Sequence, residues 1–196
     1  MQVKKQIRIL GWDDGPFTRR NKKCIVIGCV FRGYMQIDGV LRTYVNVDGF
    51  DATEKIADAF LKSKFKDVRV MMLDGITYAG FNVVNIRELS ERVSLPVVAV
   101  LRKKPKMEEF LAAMKKLPNY EKRFEVVRDA GKIYSVNVER KDGMKGVIYF
   151  QRAGISVKRA KEIIKISVYT SLFPESLRVA HLIATGVVLG ESVGRA

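Results

Sequence analysis

Residues 68–101 read VRVMMLDGITYAGFNVVNIRELSERVSLPVVAVL, and the change of period along them sets the architecture. VRVMML at 68–73 is a short apolar run of strand type that stops at Asp74-Gly75, a turn dipeptide. The segment 83–92 reads as a helix, with Val84, Ile86, Leu89 and Val93 on one stripe. LPVVAVL at 95–101 is nearly continuous in apolar residues, the signature of a strand covered on both faces. Immediately upstream, Asp51 or Thr53 caps a helix that carries Ile56, Ala57, Phe60 and Leu61 at helical spacing to about Lys64. Strand, helix and strand in alternation predict parallel strands joined by crossover helices.

Working outward, residues 6–12 form a strand that ends at Asp13, Asp14, Gly15 and Pro16. Residues 23–31 (KCIVIGCVF) and the alternating run 35–47, with a turn expected at Asp38-Gly39, complete a three-stranded antiparallel meander. Beyond Pro105 the pattern predicts a lysine-bearing helix over 107–116 and a hairpin of 125–129 with 133–139 across Ala130-Gly131. A last strand over 147–152 and two helices over 156–169 and 172–184, broken at Pro174, complete the chain. The expected fold class is α/β: a mixed sheet, meander first and parallel strands after, with helices on both faces, in one domain spanning 1–196.

Thirty-six Lys and Arg against 21 Asp and Glu give a net charge of +15, a field that attracts polyanions. The basic residues cluster at Arg19, Arg20, Lys22 and Lys23; at Arg102, Lys103, Lys104 and Lys106; and at Lys158, Arg159, Lys161 and Lys165. Lying between patterned segments, they read as parts of a folded surface that contacts DNA or RNA phosphates. Two cysteines, Cys24 and Cys29, five residues apart in a strand, fall on opposite faces as reduced thiols. With no apolar run of about 18 residues, the chain is expected to be a cytoplasmic protein without a membrane partner. It carries no G-x-x-x-x-G-K-[ST], no G-x-G-x-x-G and no G-x-S-x-G, so no nucleotide cofactor is expected.

Acidic residues recur at the carboxyl ends of the predicted strands or at the helix start between them: Asp13 and Asp14, Asp48 and Asp51, and Asp74. Open α/β sheets bind ligands at such ends, and a divalent cation needs only a few carboxylates, its other positions being filled by water. These residues also have ordinary uses, Asp14-Gly15 and Asp74-Gly75 as turns and Asp51 as a cap. Their convergence in a basic chain is what favours a Mg²⁺ or Mn²⁺ site. Tyr78 and Phe81, just past the Asp74-Gly75 turn, are candidates for stacking on bases, and Asn82 is grouped with them as substrate-binding.

ILGWDDG at 9–15, VNVDGFDATEKI at 45–56, and MMLDGITYAGFNVVNIRELSERVSLPVVAVLRKKP at 71–105 resemble the archaeal family called domain of unknown function ninety-nine, itself similar to endonuclease V. VIYFQRAGISVKRAKEIIK and LFPESLRVAHLIATG, within 147–186, extend the likeness over nearly the whole chain. The resemblance implies a ribonuclease H-like fold and metal-dependent cutting of DNA or RNA near deaminated purines. It matches the catalytic Asp of the first strand to Asp13, with Asp14 adjacent, and the Asp of D-G-x-G to Asp74. The nearest carboxylates to the middle acidic residue are Asp51 and Glu54, and the basic residue after the third parallel strand is Arg102. On that basis the expected metal ligands are Asp13 or Asp14 together with Asp74, Asp51 or Glu54 completes the catalytic set, and Arg102 and Lys103 bind phosphate.

Departures accompany the likeness. His-Pro-Arg after the endonuclease V D-G-x-G motif is replaced by Gly80-Phe81-Asn82, the late Gly-His by Gly154-Ile155, and the Pro-Tyr-Ile-Pro-Gly wedge has no counterpart. The only histidine, His181, sits in an apolar helical stretch and reads as a packing residue. The expected activity is therefore an endonuclease-like phosphodiesterase, with a catalytically inactive nucleic-acid-binding module of the same fold as the alternative.

Overall fold

The computed structural model describes residues 6–18 and 20–192. Arg19 of the first basic cluster lies outside the described residues. The chain runs β1 (Arg8–Asp14), β2 (Lys23–Arg32), β3 (Gln36–Asn46), α1 (Ala52–Leu61), β4 (Val70–Asp74), then the two-residue strands β5 (Thr77–Tyr78) and β6 (Asn82–Val83). It continues through α2 (Ile86–Val93), β7 (Val97–Leu101), α3 (Met107–Met114), α4 (Tyr120–Asp129), β8 (Tyr134–Glu139), β9 (Lys145–Ala153), α5 (Val157–Ser167) and α6 (Glu175–Leu189). Seven strands form one sheet in the order β3-β2-β1-β4-β7-β9-β8. The meander β1 to β3 is antiparallel, and β1, β4 and β7 are parallel neighbours.

Helices cover both faces, as the sequence predicts. On one face Leu10, Trp12, Met71, Leu73, Val97 and Ala99 pack under α1 to α4. On the other, Ile9, Val70, Met72, Val98 and Val100 pack with Ile163 and Ile164 of α5 and Leu177 of α6. The alternation of a pleated strand produces this split. It also separates Cys24 and Cys29 onto opposite faces, both buried as free thiols. Among the described residues no helix is long and apolar enough to cross a membrane.

Three local expectations are corrected. Residues 125–129 belong to α4, and the hairpin is β8 with β9. The strand propensity of Val126-Val127 loses to the stripe of Tyr120, Arg123, Phe124 and Val127, which packs α4 on the sheet. The turn expected at Asp38-Gly39 lies instead at residues 33–35, where Gly33 takes φ +59°. Asp38 stays in the strand because its carboxylate is paired with Arg8 Nε at 2.8 Å and Arg32 Nη2 at 3.1 Å. Finally, β9 joins β7 antiparallel: the crossover through α3 and α4 delivers β8 parallel to β7 but one place removed, and the returning β9 fills the gap.

Candidate active site

The first three parallel strands carry side chains that reach one spot at their carboxyl ends. Ile9, Val70, Met72, Val98 and Val100 all face α5 and α6. Continuing the alternation, Asp13 on β1, Asp74 on β4 and Arg102 just past β7 point to that same side. The β1/β4 register ends at Trp12 opposite Leu73, which makes Asp13 and Asp74 the next neighbours across two adjacent strands. Asp14, one residue on, belongs to the opposite face, where its Oδ2 accepts the Ala79 N–H at 2.7 Å.

α6 brings the remaining group. Its first turn lies against β1 at Gly11, where a Cβ would stand 2.6 Å from Ser176 Oγ and 2.7 Å from the Ser176 carbonyl carbon. That close approach requires glycine. Glu175 anchors the helix start, accepting from the Thr170 N–H at 2.6 Å and from Arg178 Nε at 2.7 Å, which accounts for the Pro174-Glu175 pair. Leu177 of the same turn packs in the core, and His181, one turn further, reaches Asp13, Nδ1 to Oδ2 2.8 Å. The expectation of a packing role for His181 is corrected: the ring is half-buried at the acidic cluster. An exposed end is where a lone histidine on an otherwise apolar stripe meets polar partners, the one signal the sequence offered.

The electrostatics follow from crowding. Burial and the neighbouring charge of Asp13 push the Asp74 carboxyl up to about 7 and the Asp14 carboxyl up to about 6. The hydrogen bond to Asp13 raises His181 above its ordinary value. Arg102 partly offsets the acidic charge, with Nη2 3.6 Å from Asp74 Oδ2, and its guanidinium stacks on Phe173 at 3.8 Å. Lys103 beside it is exposed. Asp13, Asp14, Gly15, Pro16, Phe17, Asp74, Arg102 and His181 line an open cavity of about 580 Å³.

Among the described residues no group of three or more His, Cys, Asp or Glu side chains is arranged as a ready-made metal cage. A hard cation of the Mg²⁺ type does not need one, since one or two carboxylates, waters and substrate phosphate commonly suffice. An oxygen-only donor set with an excess of negative charge, open to solvent, fits such an ion. Asp13 and Asp74 are the carboxylates that could hold it, and Asp14 lines the same cavity.

Other residues singled out from the sequence serve the scaffold. Asp51 lies apart from the cavity, its carboxylate accepting from the Asn46 N–H at 3.1 Å, Asn46 Nδ2 at 2.8 Å and Asn82 Nδ2 at 2.6 Å; Glu54 is exposed on α1. Asn82 is fully buried, donating to the Asn46 carbonyl and accepting from the Ala52 N–H at 3.0 Å, so it is a link between β3, α1 and β6 and not a substrate contact. Tyr78 is likewise fully buried with its hydroxyl donating to the Trp12 carbonyl at 2.9 Å, which removes it from base stacking. Phe81 packs on Phe110 with ring centroids 5.4 Å apart. Asp48 Oδ1 accepts the Phe81 N–H at 2.8 Å, and its own N–H donates to the Ala79 carbonyl.

Comparison with known proteins matches the chain to a family. The chain is 49% identical over 195 residues to the UPF0215 protein of Methanosarcina barkeri, covering 99% of this chain and 97% of that one. A crystal structure from Archaeoglobus fulgidus superposes with a TM-score of 0.82 at 39% identity, over 93% of this chain and 98% of that chain. Endonuclease V of Ciona intestinalis, solved with DNA containing inosine, superposes with a TM-score of 0.56 at 15% identity, over 89% of this chain and 82% of its own. That likeness establishes the ribonuclease H-like fold. With residues 5–188 matching the model of the endonuclease dU family, this chain belongs to that family.

Proposed function

We propose that this protein is a divalent-metal-dependent nucleic-acid phosphodiesterase that cuts DNA or RNA. One observation carries the reading: Asp13 and Asp74 emerge side by side at the ends of two parallel strands, with His181 on one and Arg102 on the other. The family's description points to deoxyuridine in DNA as the preferred substrate. Asp13 and Asp74, flanked by Asp14, hold Mg²⁺ or Mn²⁺. Bound there, the ion would activate water as the nucleophile and would neutralise phosphate charge. Arg102 and Lys103 bind the phosphate. His181 orients Asp13 through Nδ1, and its Nε2, without a protein partner among the described residues, serves as a proton donor toward the leaving oxygen. Reduced, buried Cys24 and Cys29 fit a cytoplasmic setting.

The test is cleavage of labelled single-stranded and duplex DNA and RNA, with and without deoxyuridine or inosine, by the wild type and Asp74→Asn in Mg²⁺, Mn²⁺ or chelator. Metal-dependent cutting that vanishes in the variant is expected. Salt-sensitive binding without cutting by either protein would instead favour the inactive binding module.

A further inference from the structure

Away from the acidic site, three cations from three parts of the chain meet in a cavity of about 400 Å³: Arg87 of α2, Lys132 between α4 and β8, and Arg152 of β9. Arg152 stands opposite Val98 near the start of β7, whereas Arg102 follows the end of that strand. At about 3.3 Å per strand residue, the two positions are about 13 Å apart along β7. Gly154 takes φ +69°, and a Cβ there would stand 2.5 Å from Ser90 Oγ, so the turn after Ala153 brings the end of β9 against α2. None of the three cations belongs to a basic run of the sequence; the fold alone gathers them.

Arg8 and Arg32 share Asp38, Arg92 holds Glu88 and Arg178 holds Glu175, but among the described residues Arg87, Lys132 and Arg152 pair with no carboxylate. The Arg152 guanidinium is half committed: Nη1 donates to the Ile155 carbonyl at 2.6 Å, while Nε is buried and meets no acceptor. A buried donor left unmatched is costly, and the Nε and Nη2 edge is the one a guanidinium offers to two oxygens of an oxyanion. Tyr134 flanks both neighbouring cations, its ring centroid 5.9 Å from Arg152 Cζ and 5.8 Å from Lys132 Nζ. Glu91, one turn after Arg87, is the single carboxylate in the lining among the described residues, so three positive charges face one negative. A phosphate monoester, with about −1.5 to −2 charges at pH 7, matches that surplus of two; a carboxylate or a phosphodiester carries only half of it.

We infer that this cavity binds a phosphate monoester, the phosphate of a free nucleotide or of a phosphorylated strand end, with Arg152 gripping two oxygens through Nε and Nη2 while Arg87 and Lys132 supply the remaining charge. The cavity is large enough to hold more than the phosphate group itself. The site is separate from Asp13 and Asp74 and does not depend on a metal ion or on cleavage there.

The experiment titrates the full chain, in chelator and at fixed ionic strength, with thymidine 5′-monophosphate, with thymidine, and with a short oligothymidylate carrying either a 5′-phosphate or a 5′-hydroxyl. Calorimetry reads affinity, and the ¹⁵N resonance of Arg152 Nε reads the contact. Saturable binding of the monophosphate, none of thymidine, and a shift of the Arg152 resonance are expected. Arg152→Gln is expected to weaken the monophosphate by about 10- to 100-fold, the usual value of a hydrogen bond to a charged group. Arg87→Gln, at an exposed position, is expected to weaken it in the same direction and keeps the test decisive if Arg152→Gln does not fold. A 5′-phosphate that strengthens oligothymidylate binding in the wild type but not in these variants assigns the site to a strand end. A 5′-phosphate without effect, beside saturable monophosphate binding, assigns it to free nucleotides, and either result supports the inference. No saturable binding of any phosphorylated probe, or binding equally strong in both folded variants, would overturn it. Binding lost in Arg102→Gln and kept in Arg152→Gln would overturn it as well, by placing the phosphate at the acidic site.

Discussion

Asp13 Oδ2 and His181 Nδ1 lie 2.8 Å apart across 168 positions of sequence. The pair joins the first strand of the sheet to the last helix, and it places the only histidine of the chain at the acidic cavity beside the ends of β1 and β4.

Replacing His181 with Asn is expected to lower cleavage by about 10²–10⁴-fold, the usual contribution of a positioned acid or base, with DNA affinity nearly unchanged. The raised pKa of His181 means that its pairing with Asp13 stabilises the fold fully below the unfolded value of about 6.5. That contribution is lost as pH rises through the folded value. Urea unfolding of the wild type and His181→Asn across pH 5–9 should show curves that converge at the alkaline end.

Asp74 and Asp14 have the opposite consequence for a carboxylate, because their pKa values lie above the ordinary 3.8, at about 7 and about 6. The folded state then binds more protons than the unfolded one between pH 4 and pH 7. Metal-free protein should gain stability as pH falls through that window. Asp74→Asn should flatten the profile and raise stability at pH 7 by on the order of 1 kcal/mol, about 2–4 °C in Tm for a chain of this size. Mg²⁺ should raise the Tm of the wild type and leave that of the variant unmoved. Calorimetry at several pH values, with and without the ion, checks both.

Gly11→Ala should separate α6 from β1, because the new methyl meets the Ser176 backbone at 2.7 Å. Overpacking of this kind costs about 1–3 kcal/mol. Cleavage should fall by more than the loss of folded protein accounts for, since His181 moves with the helix. Activity per folded molecule, measured well below the variant's Tm, distinguishes the two effects.

Arg123 of α4 is fully buried and donates to the carbonyls of Asp48, Gly49 and Phe81 while stacking on Phe50 at 4.0 Å. It clamps the loop after β3 to the β5/β6 hairpin that presents Ala79 to Asp14. Arg123→Ala leaves three carbonyls without their donor, and about 3 kcal/mol or more of stability should be lost. Lys should not restore it, having no planar fork to span three acceptors. Urea midpoints of the three proteins give the comparison.

Residues 68–101 carried their own architecture: period-two strands, a period-3.6 helix and an Asp-Gly at the strand end are local patterns, so the parallel core, its two covered faces and the strand-end positions of Asp13 and Asp74 were legible without coordinates. The placement of Cys24 and Cys29 on opposite faces was legible for the same reason. Local pattern misread α4 because Val126-Val127 favours a strand until Tyr120, Phe124 and Val127 find the sheet beneath them. It assigned Asp51, Tyr78 and Asn82 to chemistry because a buried hydrogen bond and a free functional group look alike in one dimension. The partner that satisfies each of them, Asn46 and Asn82 for Asp51, the Trp12 carbonyl for Tyr78, and the Ala52 N–H and Asn46 carbonyl for Asn82, comes from another element. His181 is the reverse case: nothing within a helical turn of it is acidic, and its partner arrives only when α6 packs against Gly11 and carries the imidazole to the far end of β1.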